Sequence, residues 1–280
     1  MVVENKGTLT YIRVLKEDLE ILRIKPQDGP VPDFKAGQFV TLAVNNPAEG
    51  KVVRRAYSIA SPPEQKKHFE LLIRWVKKPL PGRLTTQIFN RKEGEEIGWL
   101  KPTGIFTISE KMHDGSPDNR RLVLMGGGTG LAPFISYSLH LKAIGSKREI
   151  VVLHGASYVD ELSYRELLTD LEEESLDKGK DTWNFRYRAS ISRPQEDFNR
   201  SWGGQKGRVE SFLRTEPGSN KSPLENLVGE QITPENTSFY VCGWQGTVDG
   251  VLDFLKPKGF VDERHKRQDG SYEIKFESYG

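Results

Sequence analysis

The stretch LVLMGGGTGLAPFISY, residues 122–137, changes the pattern of the chain. An apolar run meets three consecutive glycines, which let a backbone turn tightly and approach a ligand closely. A helical pattern then recurs at spacings of three and four, at Phe134, Tyr137, Leu141 and Ile144. The dinucleotide fingerprint G-x-G-x-x-G is not met, because Leu131 and Pro133 stand where its last glycine would be. Spacing alone therefore fits a structural turn or a phosphate site, and the strand–turn–helix context favours binding.

Three further strand–helix units follow this turn and define the second half of the chain. They occupy residues 149–174, 184–214 and 238–256, and a last apolar strand covers residues 272–280. Strands that alternate with helices are typical of a parallel sheet covered on both faces. We therefore predict an α/β parallel-sheet domain over residues 116–280.

The first half has a shorter period. Its short, mostly alternating segments cover residues 8–15, 37–44, 55–61, 68–76, 95–100 and 103–108. Turn residues separate them, which favours a closed antiparallel β-barrel. One helix is predicted at residues 82–92, with Leu84, Ile88 and Phe89 facing inward. A length of 280 residues suits two domains, and the barrel domain is assigned to residues 1–115.

Composition narrows the function classes. Charged residues make up 29% and hydrophobic ones 36%, as in an ordinary globular protein, and a net charge of +2 gives no reason to expect nucleic acid. The single cysteine, Cys242, excludes an internal disulfide and a multi-cysteine metal site. The five histidines have no metal-ligand spacing, and His154 is interpreted as structural. The cysteine and histidine pattern therefore gives no reason to expect a metal. No window approaches the ~20 apolar residues of a membrane span, so we expect a cytoplasmic protein.

A second unusual stretch, RRAYSIAS at residues 54–61, places two arginines, a tyrosine and two serines in a pattern that otherwise alternates like a buried strand. Alone it predicts a strand with an outward arginine. Together with the glycine-rich turn, it belongs to a series that resembles the ferredoxin-NADP(H) reductases of the bacterial branch. The motifs are RAYS (55–58), GRLTT (82–86), GGGTGLAPF (126–134), VCGW (241–244) and FESY (276–279). The resemblance covers nearly the whole chain.

The resemblance implies an FAD site on the barrel domain. Tyr57 would stack on the isoalloxazine ring, Arg55 would pair with the flavin pyrophosphate, and Ser58 would offer its hydroxyl to the flavin N5. The GRLTT turn would contact the pyrophosphate through a helix start and a threonine hydroxyl. The full set implied for the flavin is Arg55, Ala56, Tyr57, Ser58, Arg74, Gly82, Leu84, Thr85 and Thr86.

The resemblance also implies an NADP(H) site on the α/β domain. Basic residues after the third strand would hold the 2′-phosphate by charge-assisted bonds, which favours NADPH over NADH. Ser157 is a departure, because some relatives have an arginine there. The full set implied for this dinucleotide is Gly127, Gly128, Thr129, Gly130, Ser192, Arg193, Arg208, Cys242 and Tyr279.

Four residues are implied to be catalytic: Ser58, Cys242, Glu277 and Tyr279. Cys242 would lie beside the nicotinamide, although its spacing also fits a small buried hydrophobe. Glu277 and Tyr279 lie two residues apart, hence on one face of the last strand. Glu277 would join a hydrogen-bond network near the flavin, and Tyr279 would cover the flavin ring or contact the adenine half. Trp244 replaces the usual asparagine of the family motif, so it could alter how the nicotinamide enters.

The implied enzyme is a ferredoxin-NADP(+) reductase, an FAD flavoprotein with an FR-type domain. It would transfer hydride between NADPH and FAD and single electrons between FAD and ferredoxin or flavodoxin, as a monomer. Arg54, Lys77 and Lys78 are candidate contacts for an acidic carrier. Two alternatives stay open: a reductase component of an oxygenase or another redox chain, and a non-catalytic flavin- or nucleotide-binding regulator.

Overall fold

The computed structural model describes residues 4–77, 83–215 and 218–279. The chain divides into two compact units. Unit 1 contains the residues up to Ile108 together with Ala132–Ala143, and unit 2 contains Ser109–Leu131 and the residues from Ile144 onward. Within the described residues, each unit has one six-stranded sheet. The domain ranges 1–115 and 116–280 remain a prediction.

Unit 1 is an antiparallel sheet that closes into a barrel. Its strands are β1 (Asn5–Lys16), β2 (Leu19–Pro26), β3 (Phe39–Asn46), β4 (Lys51–Ser58), β5 (Phe69–Arg74) and β6 (Glu96–Thr103). Their spatial order is β4-β3-β6-β1-β2-β5, and a bridge between Ile59 and Leu71 joins the two edges. The predicted barrel is confirmed. Along its length β4 pairs with β3.

Alternating apolar residues fill the interior of this barrel, because successive side chains of a strand point to opposite faces. Val40 and Leu42 of β3 are fully buried. The short helix α1 (Thr85–Phe89) adds Leu84 and Ile88 to the same core, at 2% and 1% exposure. The inward positions predicted for this helix are confirmed.

Unit 2 is built on a parallel sheet. Its strands are β7 (Arg121–Gly127), β8 (Ile150–Ala156), β9 (Phe185–Ile191), β10 (Gln205–Lys206), β11 (Thr237–Gly243) and β12 (Ile274–Ser278). Their spatial order is β10-β9-β8-β7-β11-β12, so the direction of strand succession reverses at β7. Ligands of such sheets bind outside the carboxyl ends of the strands at this reversal. The predicted parallel sheet is confirmed.

Helices connect these strands. They are α2 (Ala132–Ala143), which clusters with unit 1, α3 (Arg165–Lys178), α4 (Pro223–Val228) and α5 (Gln245–Leu255). The helices α4 and α5 share one apolar core with β7, β8 and β11 through residues such as Leu224 and Val251. α3 packs against β9.

Four segments differ from the sequence prediction, and the first is the helix expected at residues 82–92, which covers only Thr85–Phe89. The helix expected to include Ile144 ends at Ala143, and Ile144 is 49% exposed, because Gly145 turns the chain with a φ of +68°. The strand expected at residues 103–108 stops at Thr103, since Gly104 has a φ of +125°. The helix expected at residues 207–214 is a short 3-10 turn, Val209–Leu213. The strands β2 and β10 and the helix α4 were not predicted.

Candidate functional site

The glycine-rich turn joins β7 to α2 at the point where the strand order reverses. Gly128 has a φ of +57°, in the left-handed region that favours glycine, and nothing lies within 4 Å of the position a Cβ would take. Gly130 is required for another reason, because a Cβ there would lie 2.1 Å from the Cys242 carbonyl oxygen. The turn is therefore open at Gly128 and closely packed at Gly130.

Five residues meet where β11 and β12 end beside this turn. Cys242 Sγ lies 3.7 Å from Tyr279 Oη, and Thr129 forms a hydrogen bond with the same hydroxyl. In the sheet, Cys242 is paired with Glu277 of β12. We call Thr129, Gly130, Cys242, Glu277 and Tyr279 the switch-point cluster. It joins Tyr279 to the residue implied to lie beside a nicotinamide.

The switch-point cluster carries two neutral groups near pH 7. Burial raises the pKa of the Cys242 thiol, and the negative charge of Glu277 raises it further. Burial also raises the pKa of Tyr279 well above its ordinary value. Because the thiolate is the nucleophilic form of cysteine, the protonated Cys242 is unsuited to covalent catalysis. The cluster can shape a binding surface and form hydrogen bonds.

His154 lies in β8, opposite Gly126 of β7. Burial lowers the pKa of His154 to about 4, and the Gly128 carbonyl that faces the ring opposes this shift. Neither ring nitrogen makes a hydrogen bond of ordinary geometry within the described residues. The ring is therefore neutral near pH 7, in agreement with a structural role beside the glycine-rich turn.

The loops after β8 and β9 form a second group of side chains. Arg193 Nη1 donates to Tyr158 Oη at 2.8 Å, and Tyr158 Oη donates to Glu196 Oε2 at 2.7 Å. Arg193 Nη1 also lies 3.5 Å from Glu196 Oε1. The hydrogen bond to Tyr158 raises the pKa of Arg193. We call Tyr158, Arg193, Glu196 and the buried Asn199 below them the outer-loop cluster.

Asn199 fastens these two loops to each other. Its side chain donates to the carbonyls of Ser157 at 3.1 Å and Arg193 at 2.9 Å, and it accepts from the Val159 amide at 3.0 Å. The residue is only 1% exposed. A buried amide with three such bonds fixes the backbone from which Tyr158 and Arg193 project.

The remaining residues predicted for the dinucleotide lie at the same edge of the sheet. The Ser192 amide donates to the Ala156 carbonyl at 2.9 Å, which keeps the two loops adjacent. Arg208 is exposed, lies two residues after β10, and has its guanidinium near Gly246 in the first turn of α5. The structure therefore brings Ser192 and Arg193 together and puts Arg208 after the neighbouring strand.

The residues predicted for the flavin begin on β4. Arg55 and Ala56 are exposed, while Tyr57 and Ser58 are half-buried. Tyr57 packs against the barrel core, and burial raises its pKa although the charge of Arg55 opposes the shift. An exposed guanidinium beside a half-buried aromatic ring suits a ligand with a flat ring system and a pyrophosphate.

The other residues of the predicted flavin set have contacts within the barrel. Thr86 Oγ1 accepts from Trp75 Nε1 at 3.0 Å, and Thr85 Oγ1 accepts from the Val76 amide at 3.4 Å. Arg74 pairs with Asp18 at 2.9 Å. These threonine hydroxyls therefore tie α1 to the segment after β5. Leu84 belongs to the core, as described above, and Gly82 lies outside the described residues.

Both sites fit the groups that the motifs imply. Arg55 and Tyr57 supply a cation and an aromatic face for a flavin, and the open turn at Gly128 leaves room for a diphosphate at a helix start. Among residues 4–77, 83–215 and 218–279, no three His, Cys, Asp or Glu side chains come together as a metal site requires. In the same part of the chain, no helix has the length and hydropathy needed to cross a membrane.

Two family models match the chain, one on each half. The oxidoreductase FAD-binding domain matches residues 6–108, and the oxidoreductase NAD-binding domain matches residues 124–252. The chain belongs to the oxidoreductases that combine an FAD-binding domain with an NAD-binding domain. The first match contains the arginine–tyrosine motif of β4, and the second runs from the glycine-rich turn to α5.

Two relatives of similar sequence are components of a Na(+)-translocating NADH-quinone reductase. One component of the Na(+)-translocating NADH-quinone reductase of Yersinia pestis is 28% identical. The alignment has 296 positions and covers 94% of this chain and 65% of the relative. The corresponding component of the Marinomonas enzyme is 30% identical over 220 residues, which cover 76% of this chain and 48% of the relative. This chain therefore spans less than two thirds of the length of these curated relatives.

Solved structures share the fold over nearly the whole chain. The ferredoxin NADP+ reductase of Neisseria gonorrhoeae, with bound FAD and NADP, has a TM-score of 0.78 at 23% identity and covers 99% of both chains. The flavohem-like FAD/NAD-binding domain of the Vibrio cholerae nitric oxide dioxygenase has a TM-score of 0.74 at 17% identity, with 99% of this chain and 98% of that chain covered. At these identities the similarity shows the fold.

Three residues of the outer-loop cluster were not predicted from the sequence: Tyr158, Glu196 and Asn199. One signal was present in the stretch SRPQEDFN, residues 192–199, where a glutamate follows Arg193 at a distance of three residues. An acidic residue after a strand end can accept a ribose hydroxyl of NAD, so a carboxylate beside a predicted phosphate-binding arginine is informative.

Proposed function

We propose that this chain transfers hydride from NADPH to bound FAD and then passes single electrons to an acidic ferredoxin or flavodoxin. The switch-point cluster is the observation that carries the proposal. It places a fully buried neutral thiol in contact with a half-buried neutral phenol, beside an open glycine turn where a nicotinamide ring would bind. When bound, FAD supplies a two-electron acceptor that can return its electrons one at a time.

The residues of the chain bind and orient the reactants in this proposal. Arg55 binds the flavin pyrophosphate and Tyr57 supports the ring face, while Ser58 hydrogen-bonds the ring edge. Cys242 contacts the nicotinamide without forming a bond to it, because its thiol stays protonated. No general acid–base pair is required, since hydride moves without a separate proton transfer to a side chain.

The proposed preference for NADPH depends on Arg193 and Arg208. Both are exposed arginines that follow adjacent strands at the carboxyl edge of the sheet. Guanidinium groups make charge-assisted bonds to phosphate, so they favour the dinucleotide with the additional 2′-phosphate.

A second candidate is an NADH-driven reductase module of a larger redox chain. It is favoured by the curated relatives, which are components of a Na(+)-translocating NADH-quinone reductase and of which this chain covers 65% or less. The two candidates share the hydride chemistry and differ in the dinucleotide and the acceptor.

Two of the cations proposed to contact the electron carrier already pair with carboxylates of this chain. Arg54 pairs with Glu4, and Lys77 Nζ lies 2.8 Å from Glu17 Oε1. Lys78 lies outside the described residues. An acidic carrier would therefore exchange one carboxylate partner for another, and we expect its reduction rate to fall as ionic strength rises. A rate that is constant between low and physiological salt would contradict this docking surface.

An anaerobic titration tests the proposed hydride transfer. Flavin-loaded protein is mixed with NADPH or with NADH, and the absorbance near 450 nm, where oxidised flavins absorb, is followed. We expect bleaching by both, more readily by NADPH. Preferential bleaching by NADH would favour the second candidate, and no bleaching by either would reject hydride transfer.

Two neighbouring arginines provide a matched test of the flavin site. Arg55→Met removes the proposed pyrophosphate partner, whereas Arg54→Met removes an arginine that pairs with Glu4. We expect the first variant to lose FAD at least tenfold more readily, since one charge-assisted bond is lost. Equal retention of FAD by the two variants would contradict the role of Arg55.

A further inference from the structure

We propose that Glu196 determines how strongly the site discriminates NADPH from NADH, because its carboxylate competes with a 2′-phosphate for Arg193. The inference rests on the proposed function, of which it specifies the dinucleotide end. It assigns opposite effects to two residues three positions apart in one loop.

Arg193 is engaged on both sides by groups of its own chain. Its guanidinium carbon lies 5.3 Å from the centre of the Tyr158 ring, and Nη1 donates to Tyr158 Oη at 2.8 Å. The same nitrogen is 3.5 Å from Glu196 Oε1, and Glu196 Oε2 accepts from Tyr158 Oη. The carboxylate therefore stands beside the only charge in this trio that could attract a phosphate.

The charges determine what each dinucleotide would encounter. A 2′-phosphate bound to Arg193 would lie close to the Glu196 carboxylate, which is itself 3.5 Å from Arg193 Nη1. The two negative charges would repel each other, even at a site that solvent reaches. A ribose 2′-hydroxyl carries no charge and can donate to the same carboxylate. Glu196 thus penalises NADPH and accepts NADH, while Arg193 does the reverse.

The side chains of Arg193 and Glu196 are accessible, whereas hydrogen bonds hold the backbone of Arg193 in place. The side chains of Arg193 and Glu196 are 52% and 43% exposed, so a ligand can reach both. The backbone that carries Arg193 is held by the buried Asn199, which also holds the loop of Tyr158. A movement of the Arg193 backbone would therefore break hydrogen bonds that Asn199 makes.

Asp197 provides a matched control. It is the next residue, it is also accessible to solvent, and its Oδ1 lies 2.7 Å from Arg200 Nη2. Asp197→Asn removes the same unit of charge from the same loop without changing the partners of Arg193. A general field effect of loop charge would act in both variants, whereas the proposed competition acts only in Glu196→Gln.

The experiment measures binding directly. The FAD-loaded protein and the two variants are titrated calorimetrically with adenosine 2′,5′-bisphosphate and with 5′-AMP at one fixed ionic strength. We expect Glu196→Gln to bind the bisphosphate about tenfold more tightly and 5′-AMP equally or less tightly. Asp197→Asn is expected to change either affinity by less than about twofold. Equal changes for both ligands in Glu196→Gln, or the same gain in Asp197→Asn, would overturn the inference.

A kinetic arm separates this inference from the proposed function. The ratio of flavin bleaching rates with NADPH and NADH is expected to rise about tenfold in Glu196→Gln, in parallel with the calorimetric result. If the bisphosphate affinity rises but neither dinucleotide bleaches the flavin, the hydride function fails and the role of Glu196 stands. If bleaching occurs with an unchanged ratio and unchanged affinities, the role of Glu196 fails and the hydride function stands.

Discussion

The switch-point cluster and the outer-loop cluster lie at the same edge of one parallel sheet, but they are built in different ways. In the first, Gly130 packs against the backbone of Cys242, and the neutral side chains of Cys242 and Tyr279 touch. In the second, the solvent-accessible Arg193 and Glu196 face each other above a buried asparagine. Close packing fixes a single geometry, whereas accessible charges can be changed individually. Substitutions should therefore affect folding at the first cluster and at the buried Asn199 of the second, and ligand preference at the exposed charges of Arg193 and Glu196.

The largest effect is expected for Gly130→Ala, which tests the close packing of the switch point. The new Cβ would lie 2.1 Å from the Cys242 carbonyl oxygen, so β11 or the glycine-rich turn must move. We expect a loss of about 3 kcal/mol in the free energy of unfolding, as for severe overpacking, measured by urea denaturation. Gly203→Ala is the control, because nothing lies within 4 Å of its Cβ position. Equal stability of the two variants would contradict the packing argument.

The next effect is expected for Asn199→Ala, at the buried base of the outer loops. The substitution removes the buried Asn199 amide and the three hydrogen bonds that it makes with the backbone of Ser157, Val159 and Arg193. We expect a loss of about 2 kcal/mol in the free energy of unfolding. Asn119→Ala, at an exposed position, should cost far less. A small effect at Asn199 would mean that the outer loops are held by other contacts.

His154 is a buried titratable group, in contrast to the exposed charges of the outer loops. Its protonation should make the free energy of unfolding depend on pH. Its pKa is about 4 in the folded chain and near 6.5 when exposed, so the unfolded chain takes up a proton in this window. Stability is therefore lost as pH falls below about 6.5. We expect the difference in unfolding free energy between the protein and His154→Gln to shrink by about 2 kcal/mol from pH 7 to pH 5. Parallel pH profiles would show that the folded chain protonates His154 freely.

The sequence predicted most of what depends on periodicity and on short motifs. The glycines between an apolar run and a helix indicated the turn after β7, and the alternation of Val40 and Leu42 indicated a barrel strand. The end of the helix at Ala143 was missed because Gly145 determines it through its φ angle, which the apolar spacing of Ile144 does not reveal. Likewise, Ile105 looked like part of a strand although Gly104 ends it.

The contacts of the outer loops could not be predicted in the same way. Tyr158 and Glu196 are 38 residues apart in the chain, and their hydrogen bond depends on the parallel register of β8 and β9. The sequence showed that Glu196 follows Arg193 by three residues, but it did not show that Tyr158 of the other loop bonds to both side chains. Similarly, the hydroxyls of Thr85 and Thr86 suggested a phosphate contact, while in the structure they accept from the segment after β5. The periodicity of a sequence does not reveal which side chains of distant segments pair with each other.

The smallest effect, and the most specific one, is expected for the coupling between Arg193 and Glu196. Arg193→Met retains the length of the side chain and removes its charge, so we expect adenosine 2′,5′-bisphosphate to bind about tenfold more weakly while 5′-AMP is little affected. Arg200→Met is the control, because Arg200 pairs with Asp197. In the Arg193→Met background, Glu196→Gln should tighten bisphosphate binding by less than about tenfold, because only the direct repulsion between Glu196 and the phosphate is then removed. A full tenfold gain in that background would show that Glu196 acts on the ligand alone. A reduced gain shows that it also acts by occupying Arg193, since only interacting residues give a non-additive cycle.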